Sequence, residues 1–244
     1  MKVLHLFCAF LLLPTFVKAE HVLHVGLIEG GRAPYFFAEN STKTGLYKDI
    51  LYSIARSTGL KFTFDYYPQA RLRKMMLSGR LDIEVGTDPL WRQAPEEIKH
   101  SSYSTPFMSS KESWVVAAYN ENRIGDLIST PDLARPCLVL GFDIEDNMKN
   151  AQSNVKGNSD EHLLEMLLRK RCDIALIPNA ILDYYQTFED SRFITHSADV
   201  EHKLSIRIRK NKEIHLSKIN TALNEMRNNG ELHRLMKKYG INNS

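Results

Sequence analysis

The chain has 244 residues, of which 43% are hydrophobic and 25% are charged, and its formal net charge is +3. The charge falls to +1 without Lys2 and Lys18 of the first segment, so nothing in it favours a nucleic-acid or membrane partner, and we expect neither. The length suffices for one large domain or for two small ones.

The first 19 residues are typical of a secretory signal peptide. Lys2 precedes an apolar run over residues 3–13, and Val17 and Ala19 are the small residues before a cleavage point. No later apolar run approaches the roughly 20 residues that a membrane helix needs. We therefore expect cleavage near Ala19 and release of the mature chain into the periplasm.

The next part of the chain alternates between strand and helix patterns. Period-two hydrophobicity predicts strands over residues 21–28 and 61–67 and a short buried strand over 81–85. Apolar residues at helical spacing predict helices over residues 46–55 and 69–78, which end at glycines. This β-α-β-α-β order is typical of a parallel sheet covered by helices.

A second block repeats the pattern. Residues 129–132 (STPD) predict a helix start, residues 138–140 and 172–177 predict buried strands, and leucines at helical spacing over 163–168 predict a helix between them. A second α/β lobe follows from this repeat.

The last part of the chain does not repeat this pattern. It predicts one alternating strand over residues 204–208, followed by amphipathic helices over 214–226 and 232–239. These helices need an apolar surface to cover, and we expect the first lobe to supply it.

Six segments of the chain, taken in order, resemble the family 3 extracellular solute-binding proteins, the receptors of polar amino-acid importers. The segments are HVGLIEGGRAPYFF, GLYKDILYSIARSTGLKFTF, LRKMMLSGRLDIEVG, YSTPFMSSKESWVV, LVLG with LLRKRCDIALI, and INTALNEMRNNGELHRLMKKYG. The resemblance implies a fold of the type II periplasmic binding protein kind, with two α/β lobes joined by a two-strand hinge that closes on ligand.

On this resemblance we divide the chain into a signal peptide (1–19), lobe I (20–117 with 204–244) and lobe II (118–203), with crossings near Ala117 and Lys203. The family also implies a monomer that captures a small polar ligand, amino-acid-like and bearing a carboxylate, for the permease subunits of an ABC-type importer. Neither a cofactor nor catalysis is expected.

The loop over residues 87–92 (TDPLWR) follows a predicted strand of lobe I, where the family carries hydroxyl groups and an arginine that holds the ligand's carboxylate. Arg92 matches that arginine approximately, and its planar guanidinium suits a carboxylate. The alternative is a surface arginine paired with Glu96 or Glu97. The candidate ligand residues in this loop are Thr87, Asp88, Trp91 and Arg92.

Further candidates lie outside this loop. Tyr35 could form a stacking wall with Trp91, or both could be ordinary packing. Arg71 lies near the end of the preceding strand, with a solvated arginine as its alternative.

In lobe II the family's acid for the ligand ammonium falls at Pro178 or Asn179, and neither is charged. Asp143 could supply a carboxylate instead, or simply cap a helix.

The two cysteines of the mature chain predict a disulfide. Cys137 immediately precedes one predicted strand and Cys172 begins another, and adjacent parallel strands would bring these starts together, which permits a bond if the α-carbons lie within roughly 7 Å. Export to an oxidising compartment allows it. Buried free thiols are the alternative.

Two other functions remain open beside the receptor. One is an exported enzyme like the dehydratases that act on cyclic precursors of aromatic amino acids, and its general acid would have to come from Glu84, Asp88 or Asp143. The other is a sensing partner of a membrane receptor. The histidines and cysteines show no metal-binding spacing, and no nucleotide or hydrolase motif occurs.

Overall fold

The computed structural model describes residues 22–130, 134–142, 154–186 and 192–241. In these ranges the strands are β1 (Val22–Ile28), β2 (Gly31–Arg32), β3 (Phe36–Phe37), β4 (Lys61–Tyr67), β5 (Ile83–Thr87), β6 (Ser101–Tyr103), β7 (Met108–Ala117), β8 (Pro136–Val139), β9 (Val155–Gly157), β10 (Ile174–Pro178) and β11 (Phe193–Arg209). The helices are α1 (Leu46–Thr58), α2 (Gln69–Ser78), α3 (Pro95–His100), α4 (Ile124–Ser129), α5 (Asp160–Leu168), α6 (Asn179–Gln186), α7 (Leu216–Asn228) and α8 (Glu231–Lys238). None of these described helices is both long and apolar enough to cross a membrane.

Lobe I is built on the parallel strands β4, β1 and β5, to which the last part of β11 adds antiparallel. Helix α1 covers this sheet because Leu46, Ile50, Leu51 and Ile54 recur at helical spacing and are all fully buried. The helix ends at Gly59, whose φ of 73° is the left-handed conformation that glycine adopts without penalty.

The C-terminal helices return to lobe I, as their amphipathic pattern predicts. Leu223 of α7 and Leu232 and Met236 of α8 are buried in the core that α1 also joins. The hydroxyl of Ser53 on α1 donates to Glu231 Oε1 at 2.6 Å, which ties α8 to α1.

Lobe II has the parallel strands β10, β8 and β9, with β7 antiparallel to β10. Ser159 caps α5 by accepting from the backbone N–H of His162. A disulfide joins Cys137 to Cys172 between the starts of β8 and β10, with their α-carbons 5.7 Å apart.

The long strand β11 and strand β7 connect the lobes. β11 pairs with β7 up to Leu204 and with β5 from Ser205, and its register against β5 shifts between Ser205 and Ile206. The change of pairing partner therefore lies beside Lys203.

Strand β7 begins at Met108, pairs with β11 along its whole length and pairs with β10 only from Glu112 to Val115. We therefore propose an outward crossing near Met108 in place of the one expected near Ala117. The polar residues over 109–113 hid the start of this strand from the hydrophobic pattern. We propose 22–107 with 205–241 as lobe I and 108–204 as lobe II.

The helix start predicted at residues 129–132 lies partly outside the described residues, and the structure shows a helix end at its first two positions. Helix α4 stops at Ser129, whose hydroxyl donates back to the carbonyl of Gly125 at 2.7 Å, and Thr130 donates to the carbonyl of Asp126 at 2.6 Å. The hydroxyls of Ser129 and Thr130 thus accompany the end of α4 by binding carbonyls one turn back.

Candidate ligand-binding cleft

The floor of the cleft is formed by Tyr35 of lobe I and Ser110 of β7. Their hydroxyl oxygens are 3.3 Å apart, and Tyr35 is 1% exposed. Its ring stacks on that of Tyr47, with the centroids 5.0 Å apart, and burial raises the pKa of the Tyr35 phenol. Tyr35 is therefore a packing residue whose hydroxyl lies at the lobe boundary, and its role as a wall for the ligand stays a prediction.

An ion pair crosses the cleft from one lobe to the other. Arg32 of β2 donates from Nε to Asp160 Oδ2 at 2.8 Å and from Nη2 to Oδ1 at 3.2 Å, a two-point contact with the first residue of α5. The side chains are only 15% and 7% exposed. Burial disfavours the guanidinium charge, but the Asp160 carboxylate outweighs it and raises the pKa of Arg32.

Two further contacts hold the lobes together around this pair. The Arg32 guanidinium lies 4.9 Å from the ring centroid of Phe142 in lobe II. At Gly141 a β-carbon would come within 2.7 Å of the backbone nitrogen of Ala70 on α2, so the turn after β8 closely approaches lobe I. The structure therefore shows the lobes in contact across the cleft.

A cavity of about 380 Å³ opens beside the floor of the cleft and is bounded by both lobes. Tyr35, Ser110 and Lys203 line it together with Asn179 and Asp183 of α6. Its volume lies in the range of small-molecule sites. Asn179 Oδ1 accepts from the hydroxyl of Ser113 at 2.8 Å, which fixes its amide.

A row of three titratable side chains lies at the crossing strands. His202 of β11 has its Nδ1 3.4 Å from Asp88 Oδ2 and its Nε2 3.5 Å from Glu112 Oε2, and its ring centroid is 4.7 Å from that of Trp91. We call Asp88, His202 and Glu112 the hinge cluster. No group of three or more His, Cys, Asp or Glu side chains in the described ranges is arranged to hold a metal ion.

Arg92, the arginine expected to hold the ligand carboxylate, pairs with carboxylates inside lobe I. Its Nη2 donates to Glu84 Oε1 at 2.5 Å, its Nε lies 3.6 Å from Glu97, and the side chain is 7% exposed. Arg207 also donates to Glu84, at 2.9 Å. Burial opposes ionisation of Glu84, but these two arginines outweigh it and hold the pKa of the Glu84 carboxyl below its ordinary value. The pairing with Glu97 weighed from the sequence is present, although in a buried position.

The other predicted residues are dispersed. Thr87 is buried and pairs with Ser205 in the sheet, and Arg71 is exposed, with its guanidinium 5.9 Å from the ring of Tyr67. Asp143 lies outside the described residues. Tyr35 and Asn179 line the cavity, while Asp88 and Trp91 belong to the hinge cluster and its packing.

Sequence reasoning missed Arg32, Asp160, Glu112 and His202. Arg32 lies three residues before the candidate Tyr35, and Asp160 is the first residue of α5. Its position at the start of a predicted lobe II helix was the signal that could have found Asp160. No signal in the sequence indicated that Arg32 would be its partner.

Two α/β lobes, two crossing strands and a polar cleft between them define a two-lobed binding protein. The model of the bacterial extracellular solute-binding proteins, family 3, matches residues 23–242, and the chain belongs to this family. No curated protein sequence matches the chain.

Solved structures with the same fold have diverse roles. The substrate-binding protein of an amino acid ABC transporter is 20% identical, with a TM-score of 0.74 over 90% of this chain and 99% of that one. An ancestral amino acid-binding protein, a precursor of cyclohexadienyl dehydratase, is also 20% identical, with a TM-score of 0.74 over 89% and 94%. A histidine kinase sensor domain is 14% identical, with a TM-score of 0.74 over 90% and 96%. At these identities the likeness concerns the fold.

Proposed function

We propose that this chain is an exported, periplasmic receptor that captures a small, carboxylate-bearing, amino-acid-like solute between its lobes and presents it to the permease subunits of an ABC-type importer. The observation that carries the proposal is the buried Arg32–Asp160 pair, which places opposite charges on opposite lobes of a solute-binding fold. Hinge closure around a ligand is how such folds work.

The pair is chemically suited to a zwitterion. A ligand carboxylate can take the place of Asp160 on the guanidinium of Arg32, since the planar fork binds either carboxylate at two points. The ligand ammonium then compensates Asp160. Both buried charges stay paired throughout, whereas a ligand with one charge would leave one of them without compensation.

The first test is a thermal-shift screen against amino acids, polyamines, sugars, organic acids and aromatic precursors. A ligand that binds only the folded state at 100 times its Kd adds about 2.7 kcal/mol to the free energy of unfolding. We expect an amino acid to raise the melting temperature of the wild-type protein. Failure of every class would contradict the receptor function.

Matched variants then locate the site. Arg32→Gln and Asp160→Asn should each abolish or greatly weaken the shift, because each removes one half of the pair. Arg80→Gln, which changes an exposed arginine of the same lobe, should leave the shift intact. Binding that survives Arg32→Gln unchanged would remove the pair from the site.

The same ligand separates a receptor from an enzyme and from a sensor. Mass spectrometry after prolonged incubation should recover it unaltered, since we propose binding without catalysis. Uptake of the labelled ligand by cells should fall when the gene is deleted. Unchanged uptake together with a lost transcriptional response would indicate a sensing role instead.

A further inference from the structure

The hinge cluster joins three parts of the molecule that hinge motion would shift. Asp88 follows β5 of lobe I, Glu112 lies on β7 in lobe II, and His202 lies on β11 two residues before its last pairing with β7. All three side chains are largely removed from solvent, with exposures of 5%, 12% and 9% respectively. Charges so placed interact more strongly than they would on the surface.

Asp88 is fixed by the backbone on both sides. Its Oδ1 accepts from the N–H of Leu90 at 2.9 Å, and its Oδ2 accepts from the N–H of Lys203 at 3.0 Å. The same Oδ2 faces His202 Nδ1. This carboxylate therefore links the end of a lobe I strand directly to the crossing strand.

The arrangement fits a protonated imidazole. A neutral ring has a single N–H, so in either tautomer one nitrogen of His202 would turn its lone pair towards a carboxylate. An imidazolium has an N–H on each nitrogen, and each nitrogen lies within ion-pair distance of one carboxylate, Asp88 at 3.4 Å and Glu112 at 3.5 Å. It would also separate two buried negative charges that otherwise repel each other.

The charged residues next to the cluster in sequence lie on the opposite face of the two strands. Lys111, Glu201 and Lys203 neighbour these residues in sequence, are exposed, and point away because successive strand residues alternate in direction. Lys203 Nζ pairs with Glu201 at 2.9 Å there. On the cluster's own side lies Tyr35, and the charge of Glu112 adds to the raising of the pKa of its phenol, as does the charge of Asp160, while Arg32 lowers it.

We propose that the hinge cluster is a proton-operated clasp, in which protonated His202 binds Asp88 of lobe I and Glu112 of lobe II and so stabilises the closed arrangement of the lobes. Loss of the proton leaves two facing carboxylates, which favours opening. Closure is therefore stronger in acid and weaker as the pH rises through the range of histidine titration. One linked proton changes the closed-to-open ratio by at most about tenfold per pH unit.

The consequence for ligand affinity rests on the proposed function, but the clasp can be tested without a ligand. Small-angle X-ray scattering of the purified protein between pH 5 and 8.5 should show a radius of gyration that increases with pH. His202→Gln should abolish this dependence. His233→Gln, which changes an exposed histidine of α8, should retain it.

A second variant protects the test against misfolding of the first. Glu112→Gln removes one of the two carboxylates that favour the proton, so the midpoint of the scattering transition should move to lower pH. A purely structural role for these residues would alter stability and leave the midpoint in place. Circular dichroism establishes that each variant is folded.

The outcomes distinguish the clasp from the receptor function. A radius of gyration independent of pH in the wild type, or a dependence that persists in His202→Gln, overturns the clasp even if a ligand binds. A pH-dependent radius that His202→Gln abolishes supports the clasp even if the ligand screen fails.

Discussion

Removal of the lobe II disulfide should cost about 4 kcal/mol of stability. The bond between Cys137 and Cys172 closes a loop with a sequence separation of 35. The loop-entropy relation for that length gives about 13 cal/mol/K, or about 3.8 kcal/mol at 25 °C, by which the bond destabilises the unfolded chain. Both cysteines are buried, at 1% and 0% exposure, so small replacements are needed to avoid overpacking.

The assay is urea unfolding of the double variant Cys137→Ala/Cys172→Ala beside the wild type, followed by far-UV circular dichroism. The variant should unfold at lower urea concentration, and lobe II should unfold before lobe I because the bond lies entirely within lobe II. Reductant should destabilise the wild type and leave the variant unchanged. A variant within about 1 kcal/mol of the wild type, or a wild type insensitive to reductant, would refute the loop-entropy reasoning.

Two further predictions concern stability. Gly86→Ala should destabilise the protein by about 2–5 kcal/mol in urea unfolding, because φ is 74° and the added carbon would meet the ring of Tyr47. The control Gly59→Ala, with φ of 73° and no atom within 4 Å of the added carbon, should cost only about 1–2 kcal/mol. Equal losses of stability in the two variants would contradict the packing argument. The hydrogen bond from Arg135 holds the pKa of Asp173 below its ordinary value, so the stability that this carboxylate contributes is present above about pH 4 and is lost as the pH falls towards its folded-state pKa. Arg135→Gln should therefore make the loss of stability in acid shallower, and an unchanged slope between pH 2 and 6 would count against this linkage.

Much of the architecture could be predicted from local patterns. Helix α1 and strand β4 were predicted because their hydrophobic periods are clear and a glycine or proline ends each pattern. Their order along the chain then indicated the family and its two-lobed fold. The start of β7 at Met108 could not be predicted in this way, because its polar residues carry no hydrophobic alternation.

The candidate site was less predictable, because the partner of a charged side chain is decided by tertiary packing. Arg92 has the expected sequence context, but its guanidinium pairs with Glu84 and lies 3.6 Å from Glu97 inside lobe I. Arg32 and Asp160 lie far apart in sequence and meet only because the lobes do. A single sequence contains no record of such long-range pairs.

The Arg32–Asp160 pair has a consequence for selectivity on the proposed function. Asp160 competes with every ligand carboxylate for Arg32. A solute therefore binds only if its own interactions are stronger than those of the ion pair that it replaces. A neutral sugar would break the pair and restore neither charge, and a simple monoacid would restore only one. The penalty for leaving a buried charge uncompensated, several kcal/mol, would then reject abundant neutral solutes without any contact designed against them.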